Sequence, residues 1–230
     1  TAVAANVEPL LRRAFMFLED EDWDSADEYC EKVLDIDPEN ASAYLGKLLS
    51  ELRVRKQESL KDQAEPFDHS NNYQKAVRFA DDKLKAVLAG YIEYINTRNE
   101  NARLDGIYTR AKNIMSGAKT EDDYESAACL FETVGEYQDS SVLAQECFEK
   151  AEIARKDAIH AEGKAKMAGE SITNYVSAIE LFESISGWKD ADENIRVCLD
   201  RIEKIKAKEE SDRIARIRRE EQERIEAEKK

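Results

Sequence analysis

Residues 22–49 read DWDSADEYCEKVLDIDPENASAYLGKLL. Trp23, Ala26, Tyr29, Cys30, Val33, Leu34 and Ile36 recur at helical spacing, which places them on one broad face of a helix. Asp37 and Pro38 stop that helix and open another. The residue before a proline is pushed out of the α region, while proline itself suits the first turn of a new helix. Ala41, Tyr44, Leu45, Leu48, Leu49 and Leu52 then begin a second apolar series at once. Two amphipathic helices joined by so short a turn pack antiparallel, and neither buries its face alone.

Upstream, residues 5–19 carry Pro9 in an opening turn and Leu10, Leu11, Ala14, Phe15, Phe17 and Leu18 on a wide apolar face, so they read as a preceding helix. Downstream, the second series predicts a helix over 39–57. Residues 57–72, QESLKDQAEPFDHSNN, are polar and hold Pro66, and they read as an inserted loop. Tyr73, Ala76, Val77, Phe79 and Ala80 restart a helix in which Tyr73 and Ala76 repeat the spacing of Trp23 and Ala26. Leu84, Val87, Leu88, Tyr91, Ile92 and Ile95 keep the pattern, which predicts one helix to about Thr97.

The string over residues 7–49 resembles a tetratricopeptide repeat. It has an aromatic at Trp23, a small residue at Ala26, bulky positions at Tyr29, Cys30, Val33 and Leu34, then Asp37 and Pro38, and Tyr44 opening the next unit. Leu10, Ala14 and Phe17 fit the helix before. Glu21 stands where the family has a glycine, Cys30 where it has an aromatic, and Lys47 with Leu48 where it has Leu-Gly. The resemblance implies an all-α array of antiparallel helix pairs, an α-solenoid, in which the first helix of each unit lines a concave groove. By it, Leu11, Phe15, Leu18, Leu45, Leu49 and Leu52 face that groove with Arg12 and Arg53 beside them. The family's clamp for chaperone tails uses Lys and Asn at the positions that here are Leu11, Phe15, Leu45 and Leu49. An apolar peptide or an amphipathic helix is therefore the expected ligand, not a terminal carboxylate. The alternative is that the loop at 57–72 or the charged tail fills the groove, since large exposed apolar patches are uncommon.

Beyond residue 99 the chain repeats with an offset of 51: Tyr124, Ala127, Leu130, Phe131, Glu132, Tyr137, Asp139 and Cys147 map onto Tyr175, Ala178, Leu181, Phe182, Glu183, Trp188, Asp190 and Cys198. Asp190 with Glu193 has capping-box spacing. Cys147, Ala151, Ala154, Ala158, Ala161, Ala165 and Ala168 draw a seam of small residues along one predicted helix, a packing surface or a place for weak self-association. The organisation read from this is 1–98 with the inserted loop, 99–205 as two divergent repeats, and 206–230 as a charged helical tail. In the tail Asp212 with Arg216, Glu220 with Arg224 and Glu226 with Lys230 have the spacing of helical ion pairs. Ile214, Ile217 and Ile225 are its only large apolar residues, too few for a strong coiled coil, which leaves this helix, with the alanine seam, as a place for weak self-association.

Composition narrows the function. A net charge of −15 argues against nonspecific nucleic-acid binding, which needs phosphate neutralisation by Lys and Arg. The charge is uneven: residues 1–40 hold 12 acids and 3 bases, whereas 201–230 hold 11 bases and 9 acids. No run of some 18 apolar residues is present, so no membrane insertion by this segment is expected. The chain opens on Thr1, which reads as a segment of a longer protein.

Cys30, Cys129, Cys147 and Cys198 lie in helical apolar patterns without a CxxC pair, and read as shielded, reduced thiols of a cytoplasmic protein. Asp20, Asp22, Asp24 and Glu31 have the spacing of a calcium loop. Ser25 occupies the position that needs glycine, and the same residues are needed to start a helix. His69 and His160 stand apart from any ligand-spaced Cys or Asp, and no phosphate cradle or nucleophile elbow occurs. No cofactor, metal or catalytic residue is nominated. The expected function is a non-enzymatic module that binds a protein or peptide in its groove. The runner-up is a spacer within a larger, membrane-tethered protein, which a groove filled by its own chain would favour.

Overall fold

A computed structural model describes residues 2–228; Thr1, Lys229 and Lys230, and with them the expected pair of Glu226 with Lys230, lie outside. Among the described residues all regular structure is helical. In chain order it comprises α1 (Ala2–Glu19), α2 (Trp23–Ile36), α3 (Ala41–Glu51), a 3-10 helix (Gln57–Asp62), α4 (Asn71–Phe79), α5 (Asp82–Gly117), α6 (Glu121–Val134), α7 (Ser140–Met167), α8 (Ile172–Glu183) and α9 (Ala191–Glu228). None of these helices is long and apolar enough to cross a membrane. The chain divides into two units, residues 1–105 and 106–230.

In the first unit the aspartates do what short polar side chains do at helix starts. Asp22 accepts a bond from Ser25 N at 3.2 Å and Asn40 from Ala43 N at 3.0 Å, capping α2 and α3. The loop between those helices is closed by the Tyr44 hydroxyl donating to Pro38 O at 3.1 Å. Ala26 and Ala76, the repeated small residues, are both fully buried. One predicted boundary moves: the helix expected over 73–97 breaks after Phe79. Ala80 is extended, and Asp81 accepts from Leu84 N at 2.8 Å to start α5 afresh. The helix expected over 39–57 is also shorter, ending at Glu51 with Arg53 in the left-handed region at φ 52°.

The second unit contains the repeat of offset 51. Thr120 and Asp123 form the capping box of α6, while Ser171 accepts from Asn174 N to start α8. Asp190 and Glu193 do not form the expected box: Asp190 turns to His160 and Lys164, and Glu193 to Arg196. Helix α7 packs with two different faces. Ala144 and Cys147 are buried in the cluster around Phe131, Ala151 is buried one turn on, and Ile159, Gly163 and Met167 lie on α8. The alanine seam is thus used only at its start. Ala158, Ala161, Ala165 and Ala168 are exposed, because α8 meets the helix on another side. At Gly163 the approach is close enough that a Cβ would stand 2.7 Å from Phe182 Cζ.

Helix α9 begins in the cluster around Phe182 with Ile195, Cys198, Ile202 and Ile205, and every residue from 206 to 227 is exposed. Arg216 there pairs with Glu220 at 3.9 Å and Arg213 with Glu210 at 3.5 Å, so the expected partner Asp212 is passed over.

Candidate functional site

The residues nominated for the groove do not line an open surface. Leu18, Leu45 and Leu49 are buried, Leu11, Phe15 and Leu52 are half-buried, and Arg12 and Arg53 are exposed. The segment expected to be a polar loop shares the core cluster of the buried ones. Its only two large apolar residues, Leu60 and Phe67, are buried in one cluster with Leu18, Leu45, Leu48, Leu49 and Ile95. Leu60 is carried inward by the 3-10 helix, and Phe67 rests edge-on against Tyr73 with ring centroids 5.6 Å apart. Three residues hold the segment by bonding groups that a loop would otherwise leave to water. The Arg98 guanidinium donates to the carbonyls of Lys61, Gln63 and Ala64 at 3.2, 2.5 and 3.4 Å, and Asn99 Nδ2 donates to Ala64 O at 2.7 Å. At the other end Glu51 accepts from Ser70 Oγ at 2.8 Å and Asn72 Nδ2 at 2.9 Å. The loop at 57–72 is one of the two occupants from its own chain that the sequence allows for the groove, but two apolar residues seven apart show no period that singles out Leu60 and Phe67 as the plug.

On the opposite side of α3, Lys47 donates to both oxygens of Asp27 at 2.8 and 2.9 Å and to Glu31 at 2.5 Å. Burial pulls its pKa down, but the two carboxylates outweigh that and hold it above the ordinary lysine value. Asp27 and Glu31 thus lock α2 to α3. Beneath them the Cys30 thiol is pushed up to about 12, first by burial and then by Asp27. Asp22, one of the residues with calcium-loop spacing, is the cap of α2.

The second unit holds a joint that occurs twice. The Tyr108 hydroxyl donates to Asp139 Oδ1 at 2.5 Å, and its ring lies edge-on to Phe131 at 5.8 Å. His160 Nε2 bonds Asp190 Oδ1, and its ring lies edge-on to Phe182 at 5.7 Å. In both cases the ring comes from the end of one long helix, the phenylalanine from the next, and the aspartate from the turn before the third. Lys164 adds bonds to Asp190 Oδ2 at 2.8 Å and Asn194 Oδ1 at 3.0 Å. Next to it Asp157 accepts from Trp188 Nε1 at 2.8 Å and Lys189 Nζ at 2.6 Å. The Asp157 carboxyl is held low by Lys189 first and Trp188 second. Since both Asp190 oxygens are taken by neighbours in the fold, this cluster acts as a fastening. Its signal lies in the sequence at a slightly different offset: Tyr108, Ala111 and Met115 precede His160, Gly163 and Met167 by 52, the stretch from Met167 to Tyr175 being one residue shorter than that from Met115 to Tyr124.

The second unit also has an open groove, of about 660 Å³, between the end of α5 and α6. Ile114, Leu130 and Cys129 form its apolar floor, and Asp122, Glu125 and Arg110 stand at its edge. Cys129, expected to be shielded, is exposed, because it lies off the stripe of Ala127, Ala128, Phe131 and Val134 that faces the core. No protein-family model, curated protein or solved structure matches this chain.

Proposed function

We propose that the chain is a non-enzymatic scaffold built as a tetratricopeptide-like α-solenoid, in which α9 is a protruding charged arm that holds other segments of a larger protein at a distance. The observation that carries this reading is the plug. Leu60 and Phe67 are buried in one cluster with Leu45 and Leu49, so these positions of the expected peptide groove are part of the core, whereas residues 206–227 of α9 are all exposed. Use of one long helix by two packing partners, as in α7, gives a continuous series in which each helix pair stiffens the next.

The test is removal of residues 206–230, read by small-angle scattering and by thermal melting. A free arm of 25 residues spans about 37 Å at ~1.5 Å per residue, so the largest dimension should shrink by about that length while the melting temperature stays within a few degrees. A large fall in melting temperature would show the arm to be docked, and the spacer reading would fail. A second reading, a module that binds a protein partner, is favoured by the groove over Ile114 and Leu130, which remains open where the groove of the first unit is closed.

A further inference from the structure

We propose that the groove over Ile114, Cys129 and Leu130 receives the arginine-flanked isoleucine face of α9 from a second copy of this chain. The two surfaces complement each other in polarity and charge. On α9, Ile214, Ile217 and Ile225 share one face and are 42%, 48% and 48% exposed. Arg213 stands one turn before Ile217 and Arg218 one turn after Ile214. Between 213 and 219 four arginines occur without an acid. The pairs that Arg213 and Arg216 make along their own helix are long and solvated, so they compete weakly with an outside carboxylate. The groove offers the converse: an apolar floor with Asp122 and Glu125 at its edge and Glu121 beside them, against the single base Arg110.

The occupant comes from another molecule, because α9 is an unbroken helix without proline or glycine from Ala191 to Glu228 and cannot fold its arm back. In the following repeat Arg110 and Ile114 are replaced by Glu162 and Lys166, and Glu125 and Cys129 by Val176 and Glu180, so that charged Lys166 and Glu180 stand in place of the apolar Ile114 and Cys129. An arm of one copy in the groove of another is a heterologous contact, which closes into a pair or ring, or runs on as a chain of molecules, according to the rotation it imposes. Because it rests on charge at an exposed edge, it weakens with salt.

Cys129 is the reporter, as the exposed thiol among three buried ones. Its rate of labelling is measured in the full chain from low to high protein concentration, with sedimentation on the same samples. At a total concentration about ten times the dissociation constant roughly a quarter of the grooves remain free, so the rate should fall about fourfold. High salt should restore it, as should the double substitution Ile214→Asp with Ile217→Asp, which lies on the free arm and leaves the fold intact by circular dichroism. Glu125→Arg should abolish the protection, and adding Arg218→Glu should recover part of it. A labelling rate independent of concentration would overturn the proposal, as would assembly that leaves Cys129 reactive, since the contact would then lie on the alanine seam or between arms. Either failure would leave the scaffold reading standing, because the truncation experiment reads the arm's length and docking in the isolated molecule.

Discussion

His160 on α7 is bonded to Asp190 before α9 as Tyr108 on α5 is bonded to Asp139 before α7, with an imidazole in the place of a phenol. Both joints put a ring against a buried phenylalanine and aim its polar tip at the aspartate that precedes the next helix. In both, the residue just before the aspartate, Gln138 or Lys189, is in the left-handed region, which turns the chain sharply so that the carboxylate points back. The second joint has the additional cation Lys164, and it fastens the helix that carries the arm.

The Asp190 carboxyl is held well below the usual carboxylate range, by Lys164 first and His160 second. A depressed carboxyl contributes its full stabilisation above the unfolded value near ~4 and loses it as pH falls through the folded value. Melting temperature should therefore decline below about pH 4, and Asp190→Asn should lower it at neutral pH while flattening that acid limb. An acid limb unchanged by the substitution would mean that the joint is not made in solution.

Gly163→Ala should destabilise the second unit by about 1–3 kcal/mol, because the new methyl meets the Phe182 ring, which is itself fully buried and cannot step aside. Chemical denaturation measures it. Ala111 stands at the same place in the first copy, so Ala111→Gly should cost less than Gly163→Ala.

Phe67→Ala should cost about 3–5 kcal/mol, the range for emptying a buried aromatic site. Arg98→Ala should speed hydrogen exchange across residues 60–67 more than elsewhere in the first unit, since it removes the donor that ties three carbonyls of that segment. Uniform exchange in the variant would count against the plug as a pinned element.

A thiol count in the native state should give one fast cysteine, Cys129, and three slow ones. Cys30 should be slowest, since burial and the neighbouring Asp27 push its thiol up to about 12 and leave little thiolate to react. Rapid labelling of Cys30 would contradict the packing of α2 on α3.

Ala26→Leu should overpack the crossing of the first helices and cost about 1–3 kcal/mol in a thermal or denaturant melt, because Ala26 has no exposed surface. No loss would remove the basis for the repeat register in the first unit.

What the sequence determined by itself is what local chemistry controls. The spacing of Trp23, Ala26, Cys30 and Val33 requires a helix with one buried face, Asp22, Asn40, Ser70, Thr120 and Ser171 mark helix starts through their own side chains, and the 51-residue offset pairs Phe131 with Phe182. The tertiary structure decided what depends on a neighbour's position. Whether Leu45 and Leu49 face a partner or the core rests on where Leu60 and Phe67 go, and those two residues have no periodicity of their own to announce it. Which alanines of α7 are buried rests on the side from which α8 arrives, and whether Asp190 caps a helix or clamps His160 and Lys164 rests on a contact thirty residues away in the chain. A helix is specified by residues within one turn of each other, whereas the use of its faces is fixed only when another helix packs against it.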